Sequence, residues 1–483
     1  MQGYICNANG NAGPNERRTI SREELGFYNA LVIAAIYEVA GQDIDVNSAQ
    51  TFIPPLEHCI LTFPYLSVVV KDKHTEKPTY EGVSSVNLED HISIIHDNDS
   101  HGEMATLQKI LPPILDRPWP ADIPPWRIVV LPLTTLDDSS VTRCFIAFAF
   151  SHTLGDGMVG PAFHRAFLDA WRENTTTDEK RSFLVTPPTR TLPAPFDTPE
   201  RLPISWKFLL GPLIAVYLPK FLAGILGLRA AASTVNAGSW TGSRVFFDPA
   251  TFNSKVKLLE IEAPILQKAL RVSRSHDAKL TATVHQLIVR ALSKAIPNRD
   301  ITNFVSQTAV DMRGSIGTPG YTWGLFVSGH YEVIPRQIHV TPTLTDEMWA
   351  AASSMTTKFA ECATRLQDQS IGLLRYAPSI RNWTLGKVGQ PRDGSYEVSN
   401  LLAFDGADGD ASHKYKISKM VFVQPANVPS APLVFNIISV KGGSLVCAVS
   451  WQAGALGMPP EEEDSFVDGI CSSLQADFEA LRD

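Results

Sequence analysis

The chain has 483 residues, of which 44% are hydrophobic and 19% are charged, and its formal net charge is −8. This composition supplies enough apolar side chains for a large core and excludes a globally disordered chain. Because the sequence contains no block of basic residues that could neutralise phosphates, we expect no nucleic-acid partner.

The six cysteines are scattered along the chain, and no two of them have C-x-x-C spacing. This pattern argues against a zinc ribbon and against a disulfide framework, and it is typical of a reducing compartment. Residues 1–18 are polar and lack the apolar region of a secretory signal. The sequence therefore predicts a cytoplasmic protein.

The first part of the chain predicts a mixture of helices and strands. Thr19 or Ser21 is a predicted helix N-cap, and the apolar run that follows predicts a helix or a helix that leads into a strand. A second helix is predicted at 159–171, because the aromatic residues in it recur every four positions. Runs rich in apolar and β-branched residues predict strands at 66–70, 86–95, 127–133 and 144–150, with a hairpin loop at 134–142.

Regular structure is expected to stop between the two halves of the chain. Residues 173–203 contain six prolines, which predicts an exposed crossover between two lobes. Residues 208–228 are nearly all apolar, but their prolines and glycines argue against a helix that spans a bilayer. We favour a segment packed over the junction of the lobes, and the alternative is an interfacial contact with a membrane.

The second half again mixes helices and strands, so the predicted class is α/β or α+β. Helices are predicted at 278–296 and 461–481, and strands at 304–309, 327–334, 420–423, 434–440 and 445–451. A glycine-containing hairpin turn is predicted at 441–444. The predicted organisation is an N-terminal lobe at 1–185, a crossover at 186–243 and a C-terminal lobe at 244–483.

His152 is the residue that points most clearly to chemistry. It follows an apolar strand and precedes Gly155, Asp156 and Gly157. A neutral imidazole can accept a proton from a hydroxyl or an amine, and Asp156 would either fix the turn or orient the ring. An isolated histidine of this kind is more often a buried residue without a catalytic role, but the whole string H-T-L-G-D-G favours function. Histidine and aspartate also bind zinc, yet no second histidine has ligand spacing, so no metal site is predicted.

The string His152–Asp156–Gly157 matches the HxxxDG motif, and the sequence resembles the CoA-dependent acyltransferases that carry it. These include the plant BAHD enzymes, chloramphenicol acetyltransferase and the condensation domains of peptide synthetases. The branch that the sequence resembles most is that of the fungal alcohol acetyltransferases. The resemblance covers most of the chain from about residue 20 onward. Its further segments are 125–127, 280–285, 310–313, 398–401 and 443–454, in the family's order.

The resemblance implies two chloramphenicol acetyltransferase-like lobes, each a mixed sheet flanked by helices, with a channel between them. His152 would be the general base in the channel, and Asp156 would point away from it and pair with Arg313. The substrate-binding residues would be Gly157, Ser399 and Asn400. The implied protein is a monomer with no bound metal or permanent cofactor. It would use acyl-CoA, with acetyl-CoA favoured, to acylate a hydrophobic alcohol such as a secondary metabolite through a ternary complex.

Two departures from the family pattern are informative. The DFGWG motif of the plant enzymes is absent, and the corresponding region reads Ile417–Ser418–Lys419–Met420, which favours the fungal branch. Leu402 stands where a glycine is common and is predicted to narrow or reshape the channel. From spacing alone, Arg313 is equally compatible with a surface residue and Asn400 with a turn residue.

Three other functions stay open on the sequence. The first is amide formation on an amine, as in condensation-type enzymes. The second is a non-catalytic binding protein that has kept the two-lobe fold. The third is a hydrolase that uses water as the acyl acceptor.

Overall fold

A computed structural model of the chain describes residues 12–41, 44–97, 102–133, 141–173, 181–218, 222, 234–338, 341–406 and 414–482. The strands are β1 Leu31–Ala40, β2 Val68–Lys71, β3 Thr79–Gly82, β4 Val86–Asn87, β5 Ile92–Ile94, β6 Trp126–Leu133, β7 Val141–Phe150, β8 Leu184–Val185, β9 Ser254–Ile261, β10 Asn303–Asp311, β11 Val327–Pro335, β12 Tyr396–Phe404, β13 Tyr415–Val423, β14 Leu433–Val440 and β15 Leu445–Gln452. The α-helices are α1 Pro14–Glu24, α2 Ile53–Thr62, α3 Glu103–Asp116, α4 Val159–Glu173, α5 Trp206–Tyr217, α6 Ala263–Ser275, α7 Leu280–Ala295, α8 Asp346–Thr364, α9 Ile380–Leu385 and α10 Pro460–Ala480.

Two mixed sheets organise these elements. The five-stranded sheet has the order β13-β1-β7-β6-β5, and the six-stranded sheet has the order β11-β10-β12-β14-β15-β9. In the first sheet only β5 and β6 are parallel, whereas in the second both β10–β12 and β12–β14 are parallel. The predicted mixed α/β class with two sheet-containing lobes is confirmed.

The first helix begins earlier than the sequence predicted. It starts at Pro14, after Gly13 in extended conformation, and not at Thr19 or Ser21. Proline suits the first helical position, where its missing N–H has no partner to lose. The apolar run that follows forms β1, which is buried on both faces and therefore lacks the alternation that distinguishes a strand from a helix.

The strand predicted at 420–423 belongs to the first sheet. It is part of β13, which pairs antiparallel with β1 from Val32↔Val423 to Val39↔Tyr415. The sequence analysis had placed this strand in the second lobe because it lies in the second half of the chain. The C-terminal half therefore contributes an edge strand to the N-terminal sheet, and the boundaries at 185 and 243 stay a prediction.

The three largest of five apolar clusters among the described residues form most of the core. The first joins the five-stranded sheet to α2 and α4, and the second joins the six-stranded sheet to α6, α7, α8 and α10. In the third, leucines and isoleucines of α3 fill the space between β1 and β9, with residues of β13 and β15 around them. The predicted aromatic face of α4 lies in the first cluster, since Phe163, Phe167 and Trp171 are all buried there.

The proline-rich crossover is irregular but not fully exposed. In its described part, only the two residues of β8 are in strand conformation. Phe196, Asp197 and Leu202 are nevertheless buried, and the Asp197 carboxylate accepts a hydrogen bond from the amide of Asn15 at 2.7 Å. This segment therefore packs against the body of the protein. Most of the hairpin predicted at 134–142 lies outside the described residues.

Candidate active site

A cavity of about 350 Å³ lies where the two sheets meet. Its wall is formed by α1, α5, the turn after β7, and strands β10, β11 and β12. Both sheets thus contribute to one partly open cavity, at the position where the predicted channel between the lobes would lie.

His152 lines this cavity at the end of β7. Its Nδ1 lies 2.9 Å from the carbonyl oxygen of Gly155. A carbonyl oxygen only accepts, so Nδ1 carries the proton of the neutral ring and Nε2 keeps its lone pair. The ring packs against Tyr28 at 5.5 Å between centroids. The hydrogen bond therefore fixes both the orientation of the imidazole and the tautomer that a general base requires.

The surroundings of His152 favour its neutral form. Burial lowers the pKa of His152 to about 4, and the positive charges of Arg18 and Arg22 act in the same direction. Asp156 opposes this shift without cancelling it. At neutral pH the ring is therefore unprotonated and able to accept a proton.

The turn that carries His152 is fixed by hydrogen bonds and close packing from neighbouring segments of the chain. Tyr80 Oη and Trp323 Nε1 donate hydrogen bonds to carbonyl oxygens of the turn at 2.6 and 2.7 Å. Gly155 is required by close packing, because a Cβ at this position would lie 2.3 Å from Val159 Cγ2 and 3.3 Å from the carbonyl oxygen of Gly324. The start of α4 and the 323–324 segment thus clamp the turn on both sides.

Asp156 and Arg313 form a buried bidentate ion pair. Arg313 Nη1 and Nη2 donate to Asp156 Oδ2 and Oδ1 at 3.0 and 2.9 Å. The carboxylate also accepts from the amides of Met158 at 3.1 Å and Phe326 at 2.8 Å. The hydrogen bonds of Asp156 thus go to the turn and to Arg313, while the Nδ1 of His152 bonds to a backbone carbonyl. The structure brings the predicted partners together and favours the ion pair over a His152–Asp156 dyad.

Gly157 and Ser399 also line the cavity. A Cβ at Gly157 would lie 2.7 Å from Leu401 Cδ2, so glycine lets the catalytic turn approach β12 closely. Ser399 lies on β12, opposite Asn436 of β14. Its hydroxyl makes no hydrogen bond to a described residue and is therefore available to a ligand.

Asn400 lies away from the cavity wall. Its Nδ2 donates to Thr281 Oγ1 at 3.0 Å, and its Oδ1 accepts from the amide of Leu402 at 2.8 Å. These bonds fix an irregularity of β12, where the pairing register with β14 shifts between Asn400 and Ala403. The structure thus places Asn400 in the turn role that the sequence left open.

Leu402 adopts the left-handed conformation, with φ of 64°. This conformation costs an L-residue roughly 1–2 kcal/mol, a cost that a glycine at this position would avoid. The side chain is 64% exposed and does not line the cavity. The prediction that Leu402 narrows the channel is therefore wrong, because the backbone turn directs its side chain to solvent.

Several residues of the wall were missed by the sequence analysis. They are Arg18 and Arg22 on α1, Glu397 on β12, and Gln424 and Asn427 after β13. Two arginines four residues apart on a helix, and polar residues directly after a buried strand, are weak signals. The same patterns are usual on a solvated face, so only the tertiary structure distinguishes them.

Two further searches cover the described part of the chain. It contains no group of three or more histidine, cysteine, aspartate or glutamate side chains placed to hold a metal ion. Its helices are also too short or too polar to cross a lipid bilayer.

A sequence profile of the alcohol acetyltransferase family matches residues 72–474. The chain belongs to the alcohol acetyltransferase family. This acetyltransferase is 21% identical over 448 residues to FCK4, a probable alcohol acetyltransferase of Fusarium pseudograminearum, with 89% of this chain and 86% of that protein covered. It is also 24% identical over 442 residues to an uncharacterised protein of Schizosaccharomyces pombe, with 89% of each chain covered.

The acetyltransferase shares its fold with proteins of known structure. Trichothecene 15-O-acetyltransferase TRI3 from Fusarium sporotrichioides aligns with a TM-score of 0.64 at 11% identity, over 95% of this chain and 93% of its own. Polyketide synthase associated protein 5 from Mycobacterium tuberculosis aligns with a TM-score of 0.54 at 11% identity, over 98% and 99%. The predicted two-lobe fold is confirmed, and family membership makes the chain an acyltransferase that uses acyl-CoA and an alcohol.

Proposed function

We propose that this acetyltransferase transfers an acetyl group from acetyl-CoA to the hydroxyl group of a hydrophobic small molecule, such as a secondary metabolite, with His152 as the general base. The observation that carries the proposal is the hydrogen bond from His152 Nδ1 to the Gly155 carbonyl oxygen, which leaves Nε2 unprotonated in a cavity between the lobes. The remaining steps follow from the residues around it.

In the proposed reaction, Nε2 of His152 accepts the proton of the acceptor hydroxyl. The alkoxide oxygen attacks the thioester carbonyl carbon, and a new C–O bond forms as the carbonyl oxygen takes up the negative charge. The C–S bond then breaks, and the CoA thiolate leaves with the proton that the imidazolium returns. The hydroxyl of Ser399 is the proposed donor to the oxyanion, because it faces the same cavity without another described partner.

A ternary complex is proposed in place of an acyl-enzyme. Ser151 and Thr153 flank His152 in the sequence, but both side chains are buried and their hydroxyls bond to each other, with Ser151 Oγ also bonded to Glu23. These contacts do not activate either hydroxyl through His152. Intact-mass spectrometry after incubation with acetyl-CoA alone should find no stoichiometric acetyl adduct.

The variant His152→Ala tests the base role. Removal of a positioned base is expected to lower turnover by about 10²–10⁴-fold, because proton removal then falls to solvent. Turnover is measured by mass spectrometry with acetyl-CoA and a panel of alcohols, with amines and water as competing acceptors. Near-normal turnover in a folded His152→Ala protein would contradict the role of His152 as the base. If acetylated amines or free acetate were the main products, the acceptor would be an amine or water and not an alcohol.

We propose that α5 covers one side of the cavity. Leu209 is buried, and together with Pro212 and Leu213 it lines the cavity from this helix. Trp206, Leu210 and Ile214 lie four residues apart on the helix and are 74%, 45% and 41% exposed. Residues so spaced share one face, so α5 presents a second apolar face to solvent.

We propose that the protein is a cytoplasmic monomer. The exposed face of α5 supports a peripheral membrane contact through the apolar segment 208–228 and through Trp206, which precedes this segment on the same helix. We expect the protein to co-sediment with phosphatidylcholine vesicles. The double variant Trp206→Ser/Leu210→Ser should lower the bound fraction. Leu184→Ser is the matched control, since Leu184 is 58% exposed on β8. Equal binding by wild type and double variant would contradict the contact.

A further inference from the structure

One part of the cavity wall carries charge and hydrogen-bonding groups that the proposed reaction does not use. We call it the polar wall, and it consists of Arg18, Arg22, Glu397 and Asn427. These side chains come from α1, from β12 and from the segment after β13. The polar wall therefore forms only when both halves of the chain are assembled.

Arg22 lines the cavity with its guanidinium unpaired. Its side chain makes no hydrogen bond or ion pair with a described residue, and its Nε is buried without a partner. Arg18, one helical turn earlier, donates only from Nε to Asn15 Oδ1 at 3.0 Å. A buried donor without an acceptor is costly, so such a group in a binding cavity indicates a ligand that supplies the acceptor.

Asn427 provides a second, independent indication. Its side chain is part of the cavity wall, and the residue is only 6% exposed. Its Nδ2 donates to Glu397 Oε2 at 3.3 Å, but its Oδ1 is buried without a partner. Two residues of the polar wall thus carry an unmet hydrogen-bonding group, the donor Nε of Arg22 and the acceptor Oδ1 of Asn427.

The charge of the cavity is not balanced. Lys387 and Asp393, which also line it, form an ion pair with each other. Glu397 can neutralise at most one of the two arginines, and its own pKa is raised by burial. Because arginine stays protonated at neutral pH, at least one positive charge faces the cavity without a counterion among the described residues.

We infer that Arg18 and Arg22 form a binding site for an anionic oxygen group of the substrate, a carboxylate or a phosphate. Guanidinium groups bind both of these groups through paired, charge-assisted hydrogen bonds. The apolar residues of α5 face the same cavity, so they would hold the hydrocarbon part of the same ligand. The identity of the ligand as a substrate rests on the proposed function. The existence of an anion-binding site does not depend on it.

The position of the arginines favours a carboxylate of the acceptor as the source. Both line the same cavity as His152, so an acceptor whose hydroxyl reaches His152 shares that cavity with the two guanidinium groups. The phosphates of acyl-CoA are separated from the thioester by the whole pantetheine arm. If the thioester reacts beside His152, the phosphates lie far from the polar wall.

Binding measurements on the full-length protein distinguish the two sources. The acceptor arm compares ω-hydroxylaurate with its methyl ester, and the donor arm compares CoA with pantetheine, each by isothermal titration calorimetry. The variants are Arg22→Gln, Arg22→Lys and Arg18→Gln, with Arg274→Gln as the matched control. Arg274 is exposed on α6 and does not line the cavity.

We expect wild type to bind the acid about tenfold or more tightly than the ester, as expected for a charge-assisted hydrogen bond. Arg22→Gln should abolish this preference, Arg22→Lys should keep part of it, and Arg274→Gln should keep all of it.

Loss of a preference for CoA over pantetheine in Arg22→Gln would also support the anion site, with the donor phosphate as its source. If wild type binds the acid no better than the ester, and no variant changes the donor preference, the inference is overturned. Because binding is measured without turnover, this result would differ from a failure of the proposed acyl transfer.

Discussion

The imidazole of His152 is expected to stay neutral well below the pH at which a free histidine takes up a proton. Burial and two nearby arginines lower its pKa to about 4. A protonated ring cannot act as a base, so activity should be lost only when the pH falls through this region. The unfolded chain takes up the proton at about pH 6.5, so folding stability should also begin to fall from there as the pH is lowered.

The pH dependence of kcat/KM tests this expectation. The acid limb should have its midpoint near 4, the lowered pKa of His152, rather than near 6.5. Glu397→Gln is the control, because Glu397 is another titratable residue of the cavity and burial raises its pKa above the usual value of a carboxyl group. The limb should persist in this variant. A midpoint near 6.5 would contradict the assigned environment of His152, and loss of the limb in Glu397→Gln would assign it to the carboxylate.

Some residues of the site could be predicted from the sequence, and others could not, because their side-chain directions depend on tertiary packing. His152 and Asp156 lie in one short motif, and Arg313 lies at the end of an apolar strand where a guanidinium is conspicuous. Arg22 and Asn427 have no such marker, because the direction of their side chains is set by how α1 and the segment after β13 pack. Asn400 differs from both groups, because its place in the family order implied substrate binding, whereas its side-chain amide bonds to Thr281 of α7 and to the backbone amide of Leu402.

At the scale of elements, the ion pair of Asp156 and Arg313 joins the turn after β7 to the end of β10. Both residues are almost fully buried, at 4% and 1% exposure. Removal of one partner of a buried pair leaves an uncompensated charge and typically costs about 3–5 kcal/mol. Arg313→Ala should lower the free energy of unfolding by about this amount, whereas Asp156→Ala should cost less, because Arg313 keeps its ion pair with Asp311 at 2.9 Å. The double variant should lose less than the sum of the two single variants. Urea denaturation of the four proteins measures the coupling.

The pair of Arg290 and Asp477 is the matched control. It is also buried, with Arg290 Nη2 at 3.1 Å from Asp477 Oδ1, but it joins α7 to α10 and does not line the cavity. Asp477→Ala should lower stability in a similar way and leave kcat/KM unchanged under conditions where the protein is folded. Asp156→Ala should lower kcat/KM as well, since the turn positions His152. Equal activity in the two variants, or additive losses of stability for Asp156 and Arg313, would limit the ion pair to a general structural role.

Elements with a clear pattern were predicted well. The hairpin of β14 and β15 is an example, because Gly442 takes the positive φ of 80° that the turn requires. The helix α4 is another, since its aromatic residues follow the helical period. By contrast, α3 contains Pro112 and Pro113 and was not predicted. It is stabilised by apolar residues that fill the space between the two sheets, which is tertiary information.

At the scale of the whole molecule, the lobes are not independent. The edge strand β13 comes from the second half of the chain and pairs with β1 over most of its length. Its residues Met420 and Phe422 belong to the core of the first sheet, and the cluster around α3 includes residues of both sheets. Each half of the chain therefore buries part of its apolar surface against the other half.

We therefore expect the acetyltransferase to unfold in a single cooperative transition, although chains of this length often unfold domain by domain. Hydrogen exchange with mass spectrometry along a urea gradient can follow peptides of β1 and β7 separately from peptides of β14 and β15. Protection of both sets should be lost at the same urea concentration.

Met420→Ala removes a buried side chain of β13 and should cost about 2–5 kcal/mol. Met348→Ala is the counterpart in the core of the second sheet, where Met348 is 3% exposed. Each variant should shift the midpoints of both peptide sets equally, because the second half of the chain contributes β13 to the first sheet and the cluster around α3 packs against both sheets. A variant that destabilises only the sheet to which its side chain belongs would show that the two sheets unfold separately.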